Sequence, residues 1–191
     1  MSKRFEICLA GSGGQGVITA AVMIGEAASM FCDNLYAVQT QSYGPEARGG
    51  SAKAEVVISD EPIDYPKPVN PDLVICLTSA AAEKYAKTVK HGGRLILDSF
   101  AVEELPDVDA NIYQLPLIQT AREKIGREIV TNMVALGMVA RVLEVENIMK
   151  PEAVRKAMLD RVPKGTEDLN AKAFEAGYKM FKDSQSMHFK D

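Results

Sequence analysis

With 191 residues the chain is long enough to bury one sizeable core and too short for two generous ones, so residues 1–191 read as a single domain. Its 47% hydrophobic and 25% charged residues exclude disorder and give no sign of a repeat array. A formal charge of -4 excludes the basic footprint that a nucleic-acid partner requires, and no apolar run reaches the roughly 20 residues needed to span a bilayer. Met1-Ser2-Lys3-Arg4 leads directly into strand-like residues, so a cytoplasmic protein is expected.

Phe5 to Ala10 is a short apolar run that stops at glycines, the pattern of a buried parallel strand. Gln15 to Phe31 follows as a helix packed on a sheet, with Gly25 its interior breaker. Leu35 to Gln39 reads as a second strand. Ser51 to Ser59 reads as a third, because Ala52, Ala54, Val56 and Ile58 alternate with Lys53, Glu55 and Val57. Pro62, Pro66, Pro68 and Pro71 make the next stretch a surface connection.

Leu73 to Leu77 is another apolar strand, followed by a helix from Ser79 to Lys90 that ends at His91-Gly92-Gly93. Arg94 to Asp98 and Asn111 to Leu115 return to the sheet. The rest is helical, over Leu117 to Ile125, Thr131 to Val145, Pro151 to Arg161 and Thr166 to Phe181, with the last few residues expected to fray. Strands alternating with helices at this spacing predict an α/β, Rossmann-like fold: a largely parallel sheet with helices on both faces and a helical C-terminal part. Ligands of such sheets bind beyond the carboxyl ends of the strands.

Two loops fall at that rim. Gly11-Ser12-Gly13-Gly14-Gln15-Gly16 follows the first strand and opens a helix, the context in which glycines admit positive φ and a helix N-terminus favours a phosphate. The same glycines also serve a tight turn and close helix–strand packing with no ligand at all. A dinucleotide site further needs an acidic residue at the end of the second strand, and that end reads Gln39-Thr40-Gln41; Asp33 precedes the strand, so NAD is disfavoured. No Lys followed by Ser or Thr comes after the glycines, which excludes a Walker A loop.

Gln41-Ser42-Tyr43-Gly44-Pro45-Glu46-Ala47-Arg48-Gly49-Gly50-Ser51 forms the second loop, and it is expected to face the same rim. Arg48 offers a fork of donors for phosphate or carboxylate, and Gly49 and Gly50 permit close approach of another backbone. Glu46 and Arg48 read equally as solvated loop charges. A catalytic set is missing: His91 lies at a helix cap and His188 near the terminus, which leaves no histidine base or triad. Cys8, Cys32 and Cys76 are widely spaced among apolar residues, read as buried free thiols, and cannot form a cluster or metal site unaided.

The two loops together, with Asn70-Pro71-Asp72-Leu73 and Asn132-Met133-Val134-Ala135-Leu136-Gly137, resemble the gamma subunit of 2-oxoacid:ferredoxin oxidoreductases. The likeness extends over most of residues 5 to 180. It implies one gamma-type domain of the pyruvate/ketoisovalerate oxidoreductase kind over residues 1–191, inactive alone, in a complex with alpha, beta and delta subunits. Such a complex uses thiamine diphosphate, iron–sulfur clusters and coenzyme A, and passes electrons to ferredoxin. The unbroken Ser42 to Glu46 and Arg48 to Gly50 are more similar to the 2-oxoglutarate and branched-chain members than to the pyruvate ones, and 2-oxoglutarate is the substrate expected.

The resemblance further implies that Gly11, Ser12, Gly13, Gly14, Gln15, Gly16, Ser42, Tyr43, Glu46, Arg48 and Gly49 seat coenzyme A or brace a neighbouring subunit. The competing readings are an indolepyruvate oxidoreductase beta subunit and a free-standing nucleotide-binding Rossmann protein.

Overall fold

The computed structural model describes residues 3–43, 50–182 and 184–188. The strands are β1 (Arg4–Ser12), β2 (Tyr36–Tyr43), β3 (Ser51–Ser59), β4 (Leu73–Cys76), β5 (Arg94–Asp98), β6 (Asn111–Leu115) and β7 (Met187–His188). They form one sheet in the order β2-β3-β1-β4-β5-β6-β7. The helices are α1 (Val17–Phe31), α2 (Ser79–Tyr85), α3 (Leu117–Gln119), α4 (Thr131–Val145), α5 (Pro151–Arg161) and α6 (Glu167–Lys182). Among the described residues no helix is long and apolar enough to cross a membrane.

The fold is α/β, and its parallel part is β1-β4-β5-β6. Strand β3 runs antiparallel to both β1 and β2, which the expectation of crossover-linked strands did not anticipate. The reason is chain length: residues 44–50 are too few for a crossover, which needs roughly a dozen or more, so β2 and β3 must form a hairpin. Met187–His188 form the two-residue strand β7, antiparallel to β6, and residues 189–191, part of the end expected to fray, lie outside the described residues.

Side-chain alternation sorts the sheet into two faces. Ile7, Leu9, Ala54, Val56, Ile58, Leu73, Ile75 and Ile96 enter one core with α1, α4, α5 and α6. Cys8, Ala10, Val74, Cys76, Leu95, Leu97 and Ile112 enter a second, smaller core beneath α2. Helix α2 is capped by Thr78, whose hydroxyl accepts the Ala81 N–H at 3.2 Å, and is shorter than its sequence suggests. A turn of 3₁₀-helix ends it because the Lys90 N–H is drawn to the Pro71 carbonyl at 2.8 Å. Helix α3 continues over Thr120–Ile125 as a π-helical turn that stops at Gly126, φ 85°.

At the amino ends of the strands, buried Glu6 organises the proline-rich connection. Its carboxylate accepts the Val69 and Asn70 N–H groups at 2.8 and 3.0 Å and the Arg4 guanidinium at 2.7 Å. Asp72 answers by accepting the Glu6 N–H at 2.9 Å and the Lys90 ammonium at 2.8 Å. Asn70-Pro71-Asp72 is thus a backbone staple, remote from the glycine loop.

Helix α4 is buried without interruption from Thr131 to Ala140, as expected of a helix enclosed by its neighbours. It meets α6 at two reciprocal glycines. A Cβ on Gly137 would overlap the Phe174 carbonyl oxygen, and one on Gly177 the Val134 carbonyl oxygen. Backbone cannot yield as a side-chain tip can, so only glycine allows this approach. A hydrogen bond from the Tyr178 hydroxyl to Glu144 at 2.5 Å closes the far end of the crossing. Arg161 of α5 similarly clasps Glu26 of α1 with two donors.

Gly137→Ala and Gly177→Ala should each cost about 2 kcal/mol or more, lowering the melting temperature by roughly 5–10 °C in thermal unfolding. Gly25→Ala, whose Cβ would come no nearer than 3.9 Å to Gln39, should instead raise stability by about 0.5–1 kcal/mol. The Arg161 hydrogen bond, outweighing desolvation, holds the Glu26 carboxyl below its ordinary range. A depressed folded-state pKa adds stability above the unfolded value that is lost as pH falls through the folded one. Denaturant titrations of wild type and Glu26→Gln should therefore differ near neutral pH and converge below the carboxylate range.

Candidate functional site: the carboxyl rim of the sheet

The rim begins inside β1. Gly11 and Ser12 are still strand residues, paired with Ala52 and Ser51 of β3. The Gly13 N–H donates to the Gly50 carbonyl at 2.8 Å, so the two ends of the rim are joined by backbone hydrogen bonding. The residues flanking the second loop, Tyr43 and Gly50, thus stand at the same rim through an antiparallel hairpin, while the loop between them lies outside the described residues.

Within the glycine loop the Gln15 N–H donates to the Ser12 carbonyl at 3.2 Å, and the Gln15 side-chain oxygen accepts the Ser12 N–H at 2.8 Å. That carboxamide lies over Gly11, where any Cβ would overlap it. Gly14 at φ 97° and Gly16 at φ 70° occupy the left-handed region. Gly16 is also where α4 approaches: its Cβ position is filled by the carboxamide of Asn132, and Asn132 Nδ2 donates to the Gly16 carbonyl at 3.3 Å.

The N–H groups of Ser12, Gly13 and Gln15 are therefore consumed inside the protein. At the first turn of α1, Gly16 supplies no side-chain cap and no acidic residue is present, so its N–H groups lack those partners. An uncapped first turn of this kind favours an anion. Ser42 and Tyr43, expected in a loop, are the last residues of β2, paired with Lys53 and Ala52. Strand β2 runs that far because its partner β3 continues to Ser51. Glu46, Arg48 and Gly49, with Gly44, Pro45 and Ala47, lie outside the described residues.

Gln39, Thr40 and Gln41 stand on β2, and the Thr40 hydroxyl reaches the Glu55 carboxylate at 3.4 Å. Asp33 sits in the turn entering β2, at the opposite end of that strand from the rim, so it cannot serve a ribose there. Sequence reasoning overlooked the ion pair of Lys53 with Glu55, 2.6 Å apart, whose ammonium lies 5.4 Å from the centre of the Tyr85 ring. Two charges spaced for one strand face were the available signal. His91 pairs with Asp109 at 2.6 Å beside the amino ends of the strands, and the turn there is made by Gly92, φ 68°.

Burial pushes the Cys8 thiol up to about 12, with Glu55 adding to the effect, and burial likewise raises Cys76. Metal ligation and nucleophilic attack need thiolates, so neither residue suits those tasks. Cys32, expected to be buried, is only partly so, because it lies just past the end of α1; burial raises its pKa too. Among the described residues no group of three or more His, Cys, Asp or Glu is placed to hold a metal ion.

The larger clefts among the described residues lie elsewhere. One, of about 630 Å³, runs between α2 and residues 101–107, and another, of about 670 Å³, between the end of α1 and the start of α5. Neither is lined by a residue of the glycine loop.

Residues 6–180 match the pyruvate ferredoxin/flavodoxin oxidoreductase family. The chain is 50% identical over 182 residues to the 2-oxoglutarate synthase subunit KorC of Methanocaldococcus jannaschii, covering 94% of this chain and 95% of the relative. Among solved structures it is similar to the gamma subunit of a keto/oxoacid ferredoxin oxidoreductase from Geobacter sulfurreducens PCA, with TM-score 0.86, 42% identity, and 96% and 99% of the two chains covered. It also shares the fold of part of the 2-oxoglutarate:ferredoxin oxidoreductase of Magnetococcus marinus, with TM-score 0.83 at 23% identity, covering 98% of this chain and 32% of that one. An α/β sheet with a glycine loop at its carboxyl rim, matched over nearly its whole length, places the chain in the pyruvate ferredoxin/flavodoxin oxidoreductase family.

Proposed function

We propose that this chain is the gamma subunit of a 2-oxoglutarate:ferredoxin oxidoreductase, folded as one gamma-type domain over residues 1–191. The observation that carries this is the 50% identity, over nearly the full length of both chains, to a 2-oxoglutarate synthase subunit. In the assembled enzyme the C1 carboxylate of 2-oxoglutarate leaves as carbon dioxide, the remaining acyl carbon forms a thioester with coenzyme A, and the electron pair passes to ferredoxin. The reverse reaction uses the same groups.

The chain's own residues do none of the bond-breaking. The buried high-pKa thiols of Cys8 and Cys76 do not fit iron–sulfur ligation, and no histidine stands at the rim. Thiamine diphosphate and the clusters belong to alpha, beta and delta partners, as does the contact with ferredoxin. The gamma subunit contributes its rim. The first turn of α1 offers N–H donors to a phosphate, and Arg48 adds a charged fork from the neighbouring loop. Gly11, Ser12, Gly13, Gly14, Gln15 and Gly16 hold that turn in place, Ser42 and Tyr43 end β2 at the same rim, and Glu46 and Gly49 are assigned to the same role. This seats coenzyme A over an active site completed by the partners.

An indolepyruvate oxidoreductase is the nearest competing assignment, but the relative of that name, from Archaeoglobus fulgidus, is only 28% identical. Anaerobic affinity purification of this chain from its native extract should co-purify partner subunits that reduce ferredoxin in a 2-oxoglutarate- and coenzyme A-dependent reaction. Higher kcat/KM with an arylpyruvate would overturn the substrate, and a chain that purifies alone and binds a nucleotide would overturn the subunit assignment. Arg48→Ala in the assembled enzyme should raise the KM for coenzyme A roughly 10- to 100-fold, the worth of a charged hydrogen bond, with subunit composition unchanged.

A further inference from the structure

A carboxamide on a buried helix is costly unless its polar atoms are used. Asn132 is only 8% exposed, and every other residue of α4 from Met133 to Ala140 is apolar or glycine. The hydrogen bond it makes is long-range, from Nδ2 to the Gly16 carbonyl, across 116 positions of sequence. Gly16 in turn has φ 70°, and the space its Cβ would need is taken by that same carboxamide. A side chain at position 16 would thus displace the Asn132 carboxamide.

We propose that Asn132 is the positioning residue of the glycine loop, setting the direction of the N–H donors that receive coenzyme A phosphate. The proposal rests on the coenzyme A reading above. Its physical basis is the planarity of the peptide unit that joins Gly16 to Val17, in which the carbonyl and the N–H point in opposite directions. The Gly16 carbonyl is gripped from inside by Asn132 at 3.3 Å and by the Ala20 N–H at 3.0 Å. With the carbonyl held inward, the Val17 N–H, the first donor of α1, is turned toward the rim. Helix α4 is an unyielding support for this grip, since Gly137, one and a half turns along, seats it against the α6 backbone.

Aspartate has the same shape as asparagine but sets an oxygen against the Gly16 carbonyl oxygen, so Asn132→Asp reverses the contact without removing volume. In the assembled, anaerobically purified enzyme, 2-oxoglutarate-dependent reduction of a viologen dye is measured against coenzyme A concentration for wild type, Asn132→Asp and Arg48→Ala. The expected result for Asn132→Asp is a KM for coenzyme A raised about 5- to 20-fold, from loss of one hydrogen bond plus repulsion, with kcat within about twofold and subunit composition intact. If Asn132→Asp does not assemble, Asn132→Ser, which adds no charge and cannot reach Gly16, is held to the same expectation.

An unchanged KM in the Asn132 variant while Arg48→Ala raises it overturns the positioning role and leaves the coenzyme A reading standing. An unchanged KM in both variants, with assembly intact, overturns the coenzyme A reading and the positioning role with it. A drop in melting temperature and kcat with KM unchanged shows that Asn132 serves packing alone, and also overturns the proposal.

Discussion

The reciprocal glycine contact between α4 and α6 is the constraint on which the rest of the molecule depends. Because Gly137 and Gly177 each admit the other helix's backbone, α4 is buried from Thr131 to Ala140 while it packs against α6, α1 and α5. A helix so enclosed has little freedom to translate or turn, since close-packed interiors shift by discrete repacking and not by continuous sliding. The N-terminus of α4 is therefore a fixed point, and Asn132 transmits that fixity to the turn that opens α1. Packing far from the rim decides the geometry at the rim.

The hairpin of β2 and β3 works on the same rim from the other side. By running antiparallel beside β1, β3 begins where β1 ends, so Ser51 lies opposite Ser12 and the Gly13 N–H finds the Gly50 carbonyl. An all-parallel arrangement would have taken the start of β3 to the amino ends of the strands, away from the glycine loop. The amino ends are occupied by a different device, the Glu6 and Asp72 carboxylates that bind the proline-rich connection. The amino end of the sheet is thus sealed by charge-assisted hydrogen bonds.

Among the described residues the thiols of Cys8 and Cys76 are buried and raised far above neutrality, and the N–H groups of Ser12, Gly13 and Gln15 are spent on internal bonds. In the role proposed above, the chain's contribution to a 2-oxoacid oxidoreductase is geometric: it holds the first turn of α1 at the carboxyl rim of the sheet.

The sequence by itself determined the elements and the family. Ser51–Ser59, Arg94–Asp98, Asn111–Leu115, Thr131–Val145 and Pro151–Arg161 stand where periodicity, proline and glycine put them, because each is set by local burial pattern and end signals. The two loops and the Asn132 to Gly137 stretch were enough to indicate the gamma-type relationship. Only the tertiary structure decided the rest: that β3 pairs antiparallel, that β2 extends through Ser42 and Tyr43, that β7 pairs with β6, and that Gln15 and Asn132 occupy the space two glycines leave. These are contacts between residues far apart in the chain, and no local period encodes them. A glycine shows that a side chain is missing; what fills its place is known only when the chain has folded around it.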